Sequence, residues 1–249
     1  MGDRLTIAIH DNGIDLLHPE LAKHLLEGRV FDNRSNRPWP VNQGTKTSHG
    51  TLCACFVKRV AIDCQLLPVR YSGRDVVKLV ESLAWAATKA KVVLCPWILE
   101  DGSARRIVES FLDSLGSGAR SALFVFSSAN EAGSNNGIFS LNSISVKLDT
   151  ADGNADSNAD LCVPHLLPIP EFPTFERSLR TAPMVPKQRF NGNSAAAAFV
   201  AGLGGRFIAD EPSLSVMQLR EKLLSLDDRE MRRHWNAALE IDTTTEIRN

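Results

Sequence analysis

The chain is organised around the stretch Asn191-Gly192-Asn193-Ser194-Ala195-Ala196-Ala197-Ala198-Phe199-Val200-Ala201-Gly202. Its four consecutive alanines combine high helix propensity with little bulk, so they predict a buried helix over 194–208. The turn before them delivers Ser194 at or near the helix N-terminus, where backbone N–H groups lack intrahelical partners. A serine there can attack a carbonyl while its own N–H holds the oxyanion. It can equally be a simple N-cap, and the stretch alone leaves both interpretations open.

The bulk composition is that of an ordinary globular protein. The 249 residues are 43% hydrophobic and 23% charged, with a net charge of −1, which argues against a nucleic-acid partner or an anionic membrane partner. No apolar run is long enough to span a membrane, and no signal peptide precedes the first strand. The five cysteines are odd in number and lack the spacing of a metal site. We therefore expect buried free thiols, no cofactor and a cytoplasmic, intracellular location.

Apolar strands alternate with amphipathic helices along the first half of the chain. The expected strands are 5–9, 66–71, 91–97, 122–127, 144–148 and 161–163, and the expected helices are 18–26, 49–60, 75–90, 103–115, 194–208, 213–226 and 229–239. This alternation predicts an α/β protein with a parallel sheet and helices on both faces. The proline-rich stretch 164–186 is expected to be irregular or at an edge. We expect one domain over 1–249, with its core at about 5–226 and a C-terminal helix and polar tail over 227–249.

Four polar residues fall where an α/β sheet gathers its functional groups. Asp11 and Asn130 follow predicted strands, while His49 and Ser194 begin predicted helices. Together they could perform acyl transfer: Ser194 as nucleophile, His49 as base, Asp11 orienting the base and Asn130 donating to the oxyanion. Each also has an ordinary structural interpretation. Asp11 could form a turn, His49 could belong to a helix start capped by Ser48, and Asn130 could be a loop amide.

The same residues lie in motifs that resemble those of the subtilisin-like serine proteases. The motifs are Ile7-Ala8-Ile9-His10-Asp11-Asn12-Gly13-Ile14-Asp15 with His18-Pro19-Glu20-Leu21, then Ser48-His49-Gly50-Thr51, Ser128-Ala129-Asn130-Glu131-Ala132-Gly133, and Gly192 to Gly202. The resemblance covers about 5–226. It implies a three-layer subtilisin-like fold with a mainly parallel seven-stranded sheet flanked by helices. It also implies hydrolysis of peptide bonds by an Asp-His-Ser triad with an asparagine in the oxyanion hole.

The resemblance also assigns the substrate-binding residues, and here the chain departs from the family. Pro96, Trp97 and Ile98 align with a Ser-Leu-Gly segment that pairs with extended substrate, and Ser128 and Ala129 border the same pocket. Pro96 lacks an N–H but keeps its carbonyl, so part of the pairing survives. Because Ile98 and Ala129 both replace glycine, we expect a small side chain before the scissile bond. The tryptophan is similar to that of intracellular fungal subtilase domains in multidomain, immune-receptor-like proteins.

Other departures keep a second function open. Asn193 replaces the usual threonine before the nucleophile. The family's calcium-binding segments are not recognisable, so the resemblance leads us to expect no essential metal. Met1 lies almost at the first strand, so we expect either a domain cut from a longer chain or folding without a propeptide. The leading hypothesis is an intracellular serine endopeptidase acting on protein or peptide substrates. The alternative is a catalytically weak peptide-binding or scaffold domain of a multidomain protein, and an esterase or peptide ligase is a third.

Overall fold

A seven-stranded parallel sheet forms the centre of the molecule. The computed structural model describes residues 5–31, 48–71, 73–116, 121–128, 137–149, 159–164, 169–173 and 187–240. The strands are β1 (Thr6–Asp11), β2 (Arg29–Val30), β3 (Gln65–Arg70), β4 (Val92–Cys95), β5 (Leu123–Ser127), β6 (Ser143–Leu148) and β7 (Leu161–Val163). They pair in the order β2-β3-β1-β4-β5-β6-β7, and every pair is parallel. Two short strands, β8 (Glu171–Pro173) and β9 (Lys187–Arg189), form a separate antiparallel pair.

Helices cover both faces of the sheet and complete three layers. They are α1 (His49–Val60), α2 (Val76–Ala87), α3 (Gly102–Ser114), α4 (Asn193–Asp210), α5 (Val216–Leu224) and α6 (Asp228–Glu240). One core joins α1, α4, α5 and α6 to one face, and a second core joins α2 and α3 to the other. Successive residues of β1 point to opposite faces of the sheet, so Ile7 and Ile9 pack in the first core and Ala8 packs in the second. Because both faces are covered by helices, the middle of the strand is apolar on both sides. The predicted fold class is confirmed.

Helix α4 lies against the middle of the sheet. It contacts β1, β4, β5 and β6 on one side and α1 on the other, and its alanines from Ala195 to Ala201 are buried. The approach of α1 is close because Gly202 faces Val60, where a Cβ would leave too little room. The short side chains therefore let α4 act as a central packing element, as the sequence predicts. Its N-cap is Gly192 with a φ of 86°, a left-handed value suited to glycine.

Several local expectations differ from the structure. The segment expected to be helical over 18–26 contains only a 3-10 turn, Ala22–His24, because Pro19 and the short apolar pattern do not sustain a longer helix. The edge strands β2, β8 and β9 are too short to produce a periodic signal. The packed core extends beyond residue 226 into α6, where Met231 and Trp235 are buried. No helix within the described ranges has the length and apolar character needed to cross a membrane.

Candidate active site

The predicted nucleophile, base and aspartate are all placed by the carboxyl edge of the sheet. Asp11 is the last residue of β1, and its carbonyl accepts a hydrogen bond from the first residue after β3. His49 is the first residue of α1, and Ser194 is the second residue of α4. Each of these positions is fixed by the end of a regular element, which limits how far the side chain can move.

Asp11 and His49 form a hydrogen-bonded pair. The distance between Oδ2 of Asp11 and Nδ1 of His49 is 2.7 Å, and the other carboxylate oxygen accepts the backbone N–H of Asn12 at 2.6 Å. Burial lowers the pKa of His49, but the hydrogen bond and charge of Asp11 outweigh it, so the pKa lies above its ordinary value. The ring edge of Phe190 packs 5.9 Å from the imidazole, between centroids. The pair therefore leaves Nε2 of His49 as the nitrogen available for proton transfer.

The close approach of α1 to β1 depends on Gly50. A Cβ at this position would collide with the carbonyl of Gly13 and lie 3.0 Å from the Cβ of Asp11. Two hydroxyl groups tie the same helix end to the loop after β1. Ser48 caps the helix through the N–H of Thr51, and Oγ1 of Thr51 accepts the N–H of Asp15 at 2.8 Å. The histidine motif thus fixes His49 beside Asp11 through packing as well as hydrogen bonds.

Ser194 is a half-buried residue in the first turn of α4 and is not the helix N-cap. Its Oγ donates to the carbonyl oxygen of Pro96 at 3.2 Å. Both Ser194 and His49 are described, and no hydrogen bond joins their side chains in this conformation. The N–H of the second residue in a helix has no intrahelical acceptor, so the Ser194 N–H is suited to receive an oxyanion. The structure therefore places the Ser194 hydroxyl at the predicted substrate-binding segment 96–98, without a hydrogen bond to the predicted base His49.

Asn193 has a structural role that the sequence did not reveal. Its Oδ1 accepts the N–H of Leu148 at 2.8 Å, and its Nδ2 donates to the carbonyl of Ser128 at 3.0 Å. The side chain is buried and links the ends of β5 and β6 to the head of α4. The only sequence signal at this position was an asparagine where the family usually has threonine, because the two partners of Asn193 are distant along the chain. The predicted oxyanion donor Asn130 and the predicted pocket residue Ala129 lie outside the described residues.

A cleft of about 430 Å³ opens beside the Asp11–His49 pair. Three of the predicted substrate-binding residues, Pro96, Trp97 and Ile98, line this cleft. The remaining lining residues are Asn12, Tyr71, Gly73, Leu79 and Leu99. The fourth described member of the predicted set, Ser128, is buried under the end of β5 and holds the Asn193 amide through its carbonyl. The cleft is therefore apolar on the side of residues 96–99 and polar at His49.

Cys53 lies one helical turn beyond His49. Its Sγ is 3.8 Å from Nδ1 of His49 and 3.8 Å from Oδ2 of Asp11, so these three residues are the described group that could hold a metal ion. The 2.7 Å between Nδ1 and Oδ2 is a hydrogen-bond distance, shorter than the roughly 3.3 Å between two ligands of a tetrahedral zinc. Burial and the charge of Asp11 raise the pKa of the Cys53 thiol well above its ordinary value. In this structure the spacing of Asp11 and His49 is that of a hydrogen bond between Nδ1 and Oδ2.

The cysteines are free thiols, as expected, and all but one of them are buried. All five are described and free, and four are buried. Cys162 is exposed, because β7 is an edge strand whose middle side chain points away from the core. The expectation that every thiol is buried is therefore wrong at this one position.

Comparison with known proteins gives the class of fold. No protein-family model matches the chain. A segment of 63 residues is 43% identical to neuroendocrine convertase 2 of Bos taurus and, equally, of Homo sapiens. That match covers 24% of this chain and 10% of the convertase, so it spans about a tenth of the curated relatives' length.

Solved structures match over most of the chain. A cold-adapted subtilisin-like serine proteinase superposes with a TM-score of 0.59 at 18% identity, covering 87% of this chain and 80% of its own. A lanthipeptide protease gives a TM-score of 0.64 at 16% identity, with coverages of 96% and 87%. The nisin leader peptidase NisP from Lactococcus lactis gives 0.62 at 15% identity, with coverages of 88% and 81%. The chain has the subtilisin-like fold, and its resemblance to the subtilisin-like proteases is confirmed.

Proposed function

We propose that the chain is a serine endopeptidase that cleaves protein or peptide substrates with Ser194, His49, Asp11 and Asn130. The observation that supports it best is the 2.7 Å hydrogen bond between Asp11 and Nδ1 of His49, at the sheet edge that also carries the head of α4. That bond fixes the imidazole and would stabilise the imidazolium formed in catalysis. The fold of subtilisin-like proteases supports peptidase activity in general.

The proposed reaction begins when Nε2 of His49 takes the proton of the Ser194 hydroxyl as its oxygen attacks the peptide carbonyl. The N–H of Ser194 and the side-chain amide of Asn130 hold the oxyanion. His49 then returns the proton to the leaving amine, and an activated water molecule releases the acyl group by the same steps.

The hydrogen bond from Ser194 to Pro96 suggests how substrate starts this sequence. In the free protein the Pro96 carbonyl accepts the serine hydroxyl at 3.2 Å. An extended peptide paired with the 96–98 segment would donate a backbone N–H to the same carbonyl. The hydroxyl would then be released to rotate towards His49. Because Ile98 lines the cleft, we retain a small side chain before the scissile bond as the proposed preference.

The experiment is cleavage of a peptide library, read by mass spectrometry, with wild type, Ser194→Ala and the matched control Ser225→Ala. Ser225 is exposed at the end of α5, where its hydroxyl donates to the carbonyl of Lys222, and it is not among the residues that line the cleft. We expect cleavage by wild type and control, and a loss of about 10⁶ in kcat for Ser194→Ala, as in subtilisin itself. Cleavage retained in Ser194→Ala would refute the proposal.

A peptide-binding domain with little turnover is the second candidate, and the bond from Ser194 to Pro96 rather than to His49 favours it. It predicts that wild type and Ser194→Ala bind library peptides equally and cleave none. The cytoplasmic location, the single domain and the place in a longer multidomain chain stay predictions from the sequence.

A further inference from the structure

A directed chain of hydrogen bonds connects the substrate segment to β1. The indole N–H of Trp97 donates to Nδ1 of His10 at 3.1 Å and to the carbonyl oxygen of the same residue at 3.0 Å. His10 immediately precedes Asp11 and is fully buried. The middle residue of the substrate segment is therefore tied to the residue beside the proposed catalytic aspartate.

The direction of the chain follows from the donors available. An indole nitrogen can only donate, so Nδ1 of His10 accepts and Nε2 carries the proton. Nε2 is 2.7 Å from Oγ of Ser82, which in turn donates to the carbonyl of Leu79 at 2.6 Å. Burial lowers the pKa of His10 to about 4, so the imidazole is neutral near pH 7, as this arrangement requires. Every polar atom of the two rings therefore has a partner.

Packing fixes the indole in the same place. The Trp97 ring lies 5.4 Å from the His10 ring and 5.3 Å from the Phe126 ring, between centroids. The next residue, Ile98, is by contrast 36% exposed at the cleft. Trp97 thus serves as the anchor of a segment whose neighbours face the substrate.

We propose that Trp97 and His10 are positioning residues for the reaction, which hold the 96–98 segment at a fixed distance from Asp11 and His49. This inference rests on the proposed function. Without the indole N–H, the segment can shift relative to β1, and the Pro96 carbonyl shifts with it. The loss should fall on pairing with an extended peptide, because among the described residues no hydrogen bond or ring contact joins either side chain to Ser194 or His49.

The test compares Trp97→Phe with wild type in two assays. One measures KM and kcat for an extended peptide that wild type cleaves, and the other measures the rate of Ser194 labelling by a small fluorophosphonate. We expect Trp97→Phe to raise KM about tenfold, because the variant lacks the N–H that donates to Nδ1 and to the carbonyl oxygen of His10. The rate of labelling should stay within about twofold of wild type. The matched control is Trp85→Phe, whose ring packs on Phe31 in the same core. It should leave both measurements unchanged.

Two substitutions of His10 separate positioning from packing. Asparagine can present an oxygen where Nδ1 lies and accept the indole N–H, whereas glutamine reaches the position of Nε2 near Ser82. We expect His10→Asn to keep the wild-type KM and His10→Gln to raise it, by less than Trp97→Phe does because the indole N–H still donates to the backbone carbonyl of residue 10. These variants also decide the matter if Trp97→Phe fails to fold.

The outcomes distinguish this inference from the proposed function. Wild type that labels and cleaves, together with an unchanged KM in Trp97→Phe or the same KM in both His10 variants, would overturn the positioning role alone. A loss of labelling in parallel with peptide hydrolysis would also overturn it, because it would indicate general damage. Wild type that neither labels nor cleaves would overturn the proposed function and the inference with it.

Discussion

Acid should destabilise this protein through His10, the buried imidazole beside Asp11. Burial lowers the pKa of His10 to about 4, against the opposing charge of Asp11. In the unfolded chain the same group titrates near its usual value of ~6.5. Between these two values the unfolded chain binds the proton and the folded protein does not. The free energy of unfolding must therefore decrease as the pH falls through this window.

The size of the effect follows from the width of that window. The folded and unfolded pKa values of His10 differ by about 2.5 units, which at about 1.36 kcal/mol per unit amounts to roughly 3 kcal/mol of unfolding free energy. About 2 kcal/mol of this is lost when the pH falls to about 5. His49 acts with the opposite sign, because its raised pKa contributes stability at low pH that is lost as the pH rises. A comparison of variants is needed to isolate His10.

The assay is urea unfolding at pH 7 and at pH 5 for wild type and His10→Asn. Asparagine does not titrate and can still accept the Trp97 N–H, so contributions from all other groups cancel in the comparison. We expect wild type to lose about 2 kcal/mol more than the variant between the two pH values. Equal losses would refute the reasoning, because they would mean that His10 is solvated or already protonated in the folded protein.

Three further predictions concern the proposed site. Gly50→Ala should cost about 1–3 kcal/mol of unfolding free energy in urea and slow fluorophosphonate labelling, because a Cβ there collides with Gly13 and Asp11; unchanged stability would contradict the packing. Asn193→Ala should cost about 2–4 kcal/mol, since it leaves two buried backbone groups without their partner, and a thermal melt close to wild type would contradict it. The acid limb of kcat/KM should have a midpoint above ~6.5, because Asp11 raises the pKa of His49; a midpoint below that value would mean that the pair is broken in solution.

The regular elements were predictable because their signals are local. The helix starting at His49 was expected with its observed bounds, His49–Val60, since a cap, a glycine and an apolar face occur together. The strands β2, β8 and β9 were missed because two or three residues carry no periodicity. Their existence depends on pairing with distant partners, which no local pattern encodes.

At the site, residue types were more predictable than their partners. The pairing of Asp11 with His49 followed from order and spacing. No local pattern indicated that His10 would accept a hydrogen bond from Trp97 or that Asn193 would bridge two strands. These contacts join residues 87 and 45–65 positions apart, respectively, and they depend on the sheet order that brings β4 beside β1 and β6 beside β5.

The most direct test of the account is where a fluorophosphonate reacts. After treatment at pH 8, the protein would be digested and the modified residue identified by mass spectrometry, with His49→Ala and Ser194→Ala as comparisons. The account predicts one adduct, on Ser194, that is absent in Ser194→Ala and forms far more slowly in His49→Ala. Wild type without an adduct, or an adduct that persists in Ser194→Ala, would contradict it.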